Sequence, residues 1–158
     1  MRPTRSKKGE REMRDLGKQG NALFAKIAAG IERVGDCRTL DNAPGVFMAL
    51  HVEAVDAKRV GEHSGLLISL AHYGEQNGDL MRDPDVVFLR VADAAYPVSY
   101  RNDYAGIDRE YVIWDGAGGT SCQINKRMQA DLASFCRVWM RNVRHQQLEP
   151  MRAGLVAV

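Results

Sequence analysis

Four carboxylates and a histidine fall in one short stretch, His72-Tyr73-Gly74-Glu75-Gln76-Asn77-Gly78-Asp79-Leu80-Met81-Arg82-Asp83-Pro84-Asp85, set between two apolar runs. Glu75, Asp79, Asp83, Asp85 and His72 are the hard oxygen donors and single imidazole that a divalent cation accepts. Their spacing completes no metal motif. Read as a calcium loop with Glu75, Asn77 and Asp79 in the first, third and fifth places, the stretch has Leu80 where the sharp turn requires Gly. Val86 then stands where the bidentate acid belongs. Pro84-Asp85 at a strand start resembles the opening of a restriction-type nuclease site, yet Glu110-Tyr111-Val112 lacks the lysine of an acid-x-Lys pair. No metal or cofactor is expected. The competing reading is architectural: Asn77-Gly78 makes a turn inside a polar acidic loop, and Asp79 and Asp83 bond loop amides that have no ladder partner.

The remaining reactive residue types are scattered. His72 shares a strand face with Leu66, Ile68 and Leu70, the setting of a core histidine whose nitrogens are satisfied. His51, His63 and His145 have no Cys or second His at metal spacing, and no Gly-x-Ser-x-Gly elbow occurs. Cys37, Cys122 and Cys136 form no Cys-x-x-Cys pair and are odd in number, which argues for a reducing compartment and against a disulfide framework. Cys122 is expected in the first turn of the last helix, where the dipole would lower its pKa, and Cys136 reads as packing. Gly116-Ala117-Gly118-Gly119-Thr120 either offers amides to an anion or connects two elements; it lacks the Gly-Lys-Thr ending of a phosphate loop. Arg137, Arg141 and Arg144, four and three apart, form one helix stripe that binds phosphates or an acidic protein surface, or is a solvated face.

These residues need elements to hold them. Leu16, Gly20, Leu23, Phe24, Ile27, Ile31 and Val34 recur at helical spacing and predict a first helix ended by Gly35. Met48 to Ala54 alternates as a strand, Asp56 to Gly65 reads as a polar connection, and Leu66 to Tyr73 as a central strand. Val86 to Val91 continues beyond the acidic loop with Pro84 at its start, where no ladder donor is wasted. Tyr96 to Arg101 and Arg109 to Trp114 pair across Asn102-Asp103-Tyr104-Ala105-Gly106. Thr120 and Gln123 have capping-box spacing, so the last helix is predicted from there to Pro150, with Ile124, Met128, Leu132, Phe135, Trp139 and Val143 inward. The fold class is therefore α+β, an antiparallel meander of about five strands flanked by an N-terminal and a long C-terminal helix.

At 158 residues and 45% hydrophobic content, the chain suits one domain over 13–150, with a mobile basic arm over 1–12 and a tail over 151–158. Arg2, Arg5, Lys7, Lys8, Arg11, Arg14 and Lys18 crowd the N-terminus, but the net charge of +2 gives no bulk argument for nucleic acid or membrane. No membrane-length apolar run and no secretory signal is visible, so a cytoplasmic protein is expected.

The stretch Ile68 to Asp85, written His-Tyr-x-Glu-x-Asn-Gly-Asp-Leu-Met-x-Asp-Pro across its core, resembles the signature of an uncharacterised domain family of phages, plasmids and integrative elements. The likeness continues weakly through Tyr96 to Trp114 and implies a setting without catalytic residues. Accessory proteins from that setting are often inhibitors of host defence, of anti-restriction or anti-CRISPR type. That setting, with the lack of a complete active site, leads to the expectation of a non-enzymatic binding protein whose partner is a host protein or ribonucleoprotein, with Glu75, Asp79, Asp83 and Asp85 or Arg137, Arg141 and Arg144 as the candidate contacts. Two further readings stand beside it: nucleic-acid binding through the arm and the arginine stripe, and a metal-dependent enzyme using the acidic loop.

Overall fold

A computed structural model describes residues 13–42, 44–60, 63–115 and 122–149. The arm, the Gly116–Thr120 segment and the tail lie outside the described residues. The order is α1 (Gly17–Ile27), β1 (Cys37–Leu40), β2 (Leu50–Val60), β3 (His63–Gln76), β4 (Asp79–Val91), β5 (Ala94–Asn102), β6 (Ile107–Glu110), β7 (Val112–Trp114), β8 (Cys122–Ile124) and α2 (Lys126–Val143). A π-helical turn, Arg144–Leu148, prolongs α2. Strands β1 to β6 form one antiparallel meander in chain order, and β7 pairs with β8 in a separate ribbon. The α+β class and the two flanking helices match the sequence pattern.

Strand takes up much of what reads as loop. The stretch around the four acids is a long hairpin whose ladder runs to Gln76↔Asp79, so only Asn77 and Gly78 turn. Their φ values of +53° and +84° are the left-handed pair that a two-residue hairpin turn demands, supplied by the two residue types that adopt it most readily. Pro84 does not begin a strand; it lies inside β4 after a cis Asp83–Pro84 bond, where the register slips between Ala71 and Tyr73. A bulge there removes the need for the missing N–H. Within the supposed connection Asp56–Gly65, Asp56–Val60 and His63–Gly65 are likewise ladder, with a bulge between Ala54 and Asp56 hiding the period. The sequence pattern also lacks β1, whose four residues carry one large apolar side chain.

One face of the sheet packs on both helices. Leu50, Val52, Ala54, Ile68, Leu70, Val86 and Phe88 meet Leu23, Phe24 and Ile27 of α1 and Leu132, Cys136, Trp139, Met140 and Val143 of α2. Each such side chain, removed from water, contributes about 1.5–3 kcal/mol, so this layer dominates the hydrophobic stabilisation. Phe24 and Phe88 sit 4.9 Å apart, ring centre to ring centre. Helix α1 stops at Ile27, well before Gly35, because Gly30 takes φ +84° and Arg38 donates to the carbonyls of Lys26 and Ala29. Ile31 stays buried in the turn while Val34 is 55% exposed.

Helix α2 starts at Lys126, where the Asn125 side chain accepts from the Met128 amide. The Thr120/Gln123 capping box is therefore not its start, since Cys122–Ile124 pairs with Val112–Trp114. That pairing also splits the expected strand Arg109–Trp114 at Tyr111, between β6 and β7. The inward stripe is Gln129, Leu132, Ala133, Cys136, Trp139, Met140 and Val143. Phe135 falls on its flank, 44% exposed, edge-on to Tyr100.

Side chains from both helices finish the outer edge of β5 beyond the reach of β6. Asn21 accepts from the Ala95 amide at 3.1 Å, and Gln129 donates to the Pro97 carbonyl at 3.0 Å. The fully buried Gln129 also accepts from the Arg14 amide and donates to the Arg14 carbonyl, so no part of its amide is left wanting.

Candidate binding groove on the open face of the sheet

The sequence-nominated acids do not converge. Glu75 and Asp79 are exposed beside the hairpin turn. Asp83 accepts from the Asn102 side chain at 3.2 Å, and among the described residues neither it nor Asp79 makes the expected bonds to loop amides. Asp85 alone is drawn into the sheet, on the face opposite the helices. There it accepts from the Ser69 hydroxyl at 2.6 Å and pairs with Arg82 Nε at 3.3 Å. Burial pushes its carboxyl above the usual range, against the Ser69 bond and the charges of Arg82 and Arg101. Beside it, Asp103 accepts from the Arg82 amide at 2.8 Å and from Arg101 Nε at 2.9 Å, bonds that hold its carboxyl below the usual range. Two arginines and two aspartates thus offset each other and bind β4 to the β5–β6 turn. Among the described residues, no three His, Cys, Asp or Glu side chains are gathered as metal ligands would be.

The other nominated residues are also placed apart. His72 is a core residue: 5% exposed, its Nδ1 3.0 Å from the Ala49 carbonyl and its ring edge-on to Trp139. Cys122 lies in β8, away from any helix start, and burial pushes the Cys136 thiol up, which removes it as a nucleophile. Arg137 donates to the Asp15 carbonyl at 3.2 Å, Arg144 pairs with Glu149 at 3.3 Å, and Arg141 is exposed. This stripe lies on the helix side of the sheet, across from Asp85 on the open face.

What the open face does carry is a groove of about 490 Å³. Its floor is apolar, from Val55, Leu67, Val87, Val98, Val112 and Ile113, and its rim is polar, from the ion-paired Asp56 and Lys58 on one side and Ser99 and Glu110 on the other. Two local features build it. A bulge between Val87 and Phe88 gives β5 an extra residue, Val98, and the Tyr111 amide bonds the Val98 carbonyl as the chain leaves the main sheet. The β7–β8 ribbon then brings Trp114 over the end of the floor. The indole Nε1 of Trp114 is buried and has no hydrogen-bond partner among the described residues. A buried N–H left unmade costs about 1–3 kcal/mol, so this group is a donor in want of an acceptor.

Sequence reasoning passed over these residues, although one signal was present. Val86-Val87-Phe88-Leu89 is apolar on both strand faces, the mark of a strand covered on both sides. The family model described as "Domain of unknown function (DUF6908)" matches residues 21–149. The chain belongs to the DUF6908 family. The match takes in all eight strands and α2, so the groove and its Trp114 are built wholly from the family domain. No curated protein and no solved structure matches the chain. Among the described residues no helix is long and apolar enough to cross a membrane.

Proposed function

We propose that this DUF6908 chain is a binding protein that holds a segment of a protein partner in the groove of its open sheet face. The observation that carries this reading is the Trp114 N–H, buried and without a partner among the described residues, at the end of an apolar floor. A peptide segment supplies aliphatic side chains for the valine floor and, once the indole turns toward the groove, a carbonyl or carboxylate for its N–H. Tryptophan in a desolvated pocket is the residue type that most often dominates binding energy. A rim of mixed, mutually paired charge suits such a segment better than it suits a phosphate backbone. The resemblance of Ile68–Asp85 to proteins of mobile elements supports a host nucleic-acid-processing complex as the partner, with inhibition of a defence system of anti-restriction or anti-CRISPR type as the outcome.

The test is capture from a host extract by the wild-type chain and by two variants, with the recovered proteins identified by mass spectrometry. Val87→Arg obstructs the floor, and Trp114→Phe removes the N–H while keeping an aromatic ring. A specific partner lost with Val87→Arg and weakened with Trp114→Phe supports the reading. A partner retained equally by all three, or catalytic turnover in place of a stable partner, overturns it.

A further inference from the structure

On the opposite side of the molecule, where α1 crosses α2, lies a second recess of about 390 Å³, lined by Leu16, Gly17, Lys18, Gln19, Gly20, Leu23, Arg137 and Arg141. Three of these side chains are cationic and none is acidic. The Asp15 carboxylate borders the recess, where its oxygens accept from the Gly17 amide and from Asn21. Gly17, at φ +73°, carries no side chain, and a Cβ there would stand 3.9 Å from Arg137 Nε, so the guanidinium lies across the start of α1. Arg137 is fixed by its bond to the Asp15 carbonyl at 3.2 Å. Lys18 and Arg141 make no ion pair among the described residues, and both are exposed, as is Arg14.

We propose that this recess binds the phosphodiester backbone of duplex DNA. Arg137 and Arg141 stand one helical turn apart, about 6 Å along the axis, so they address different phosphates of one strand while Lys18 closes the recess from α1. Arg137, held by the Asp15 carbonyl, is the oriented member; Arg141 and Lys18 are the adjustable ones. Duplex is favoured over single strand because the lining contains no aromatic side chain on which an unpaired base could stack. Contacts of this kind position a protein on DNA without reading sequence. The site is independent of the groove on the open face: the two surfaces share no residue, and the sheet lies between them.

The experiment is fluorescence anisotropy of the full chain with a labelled 20-base-pair duplex, a single strand and a hairpin RNA, over a series of salt concentrations. The wild type is expected to bind the duplex in the micromolar range or tighter at low salt, whatever its sequence, with log K falling linearly against log salt. Lys18→Gln/Arg141→Gln leaves the Arg137 bond untouched and should lower the magnitude of that slope by about 2. Arg109→Gln, an exposed cation on β6, should leave it unchanged. Circular dichroism melts confirm that both variants stay folded. No duplex binding at the lowest salt, an unchanged slope in the double variant, or tighter binding of the single strand or the RNA overturns the proposal. So does binding of an acidic protein in place of DNA.

Discussion

The Ser69 hydroxyl donates to the Asp85 carboxylate at 2.6 Å between neighbouring strands, and the same carboxylate faces Arg82 Nε at 3.3 Å. Asp85→Ala therefore leaves a hydroxyl without its acceptor and a guanidinium without its paired charge in a part-buried place. The expected loss is about 1–3 kcal/mol, against about 1 kcal/mol or less for Ser69→Ala, which deletes one neutral donor. Urea melts of the two variants check the order. Equal, negligible losses would mean that the pair is solvated in the folded protein.

His72 gives a pH dependence of definite sign. Burial, opposed by the bond to the Ala49 carbonyl, holds its ring below the ordinary histidine range. The unfolded chain takes up a proton near pH 6.5 that the folded protein accepts only at lower pH, so stability is lost as pH falls through that window. Asp85, raised by burial, acts in the opposite sense at lower pH, so the contribution of His72 must be read as a difference between variants. Thermal melts at pH 7.5 and 5.5 should show a larger fall for wild type than for His72→Gln. Equal falls would refute the assignment.

The two aromatic residues of α2 should separate sharply. Trp139 is 7% exposed and packs on His72, whereas Phe135 is 44% exposed. Trp139→Ala is expected to cost about 3–5 kcal/mol, a large part of a small domain's stability, and Phe135→Ala much less. Arg141→Ala should be nearly silent. Chemical denaturation of the three variants reads this directly, and similar losses for Trp139→Ala and Arg141→Ala would show that the helix is not packed by the face described.

The legible parts of the fold are those where one side chain period runs unbroken. Leu50, Val52 and Ala54 alternate cleanly and are buried as their spacing requires, and Asn77-Gly78 turns the chain as its residue types dictate. The illegible parts lie where a bulge shifts the period by one residue, at Val55, at Asp83–Pro84 and at Val98. Beyond each bulge the polar and apolar residues exchange faces, so a correct strand looks like a charged loop. The groove was hidden for the same reason, since Val98 reaches its floor only through such a slip. The four acids drew attention because they are close in sequence, but a hairpin ladder spreads them along its length.

A sheet grows by adding a chain to an unpaired edge, and on β5 the first groups such a chain would need are already taken. Asn21 holds the Ala95 amide, Gln129 the Pro97 carbonyl and Tyr111 the Val98 carbonyl, while Pro97 offers no amide at all. On β2, past the four residues paired with β1, the bulge at Val55 and the charges of Asp56, Lys58 and Arg59 make a poor template for a further strand. Where β6 and β1 stop short of their longer neighbours, the exposed flanks of β5 and β2 are thus closed to an added strand by asparagine, glutamine and charge.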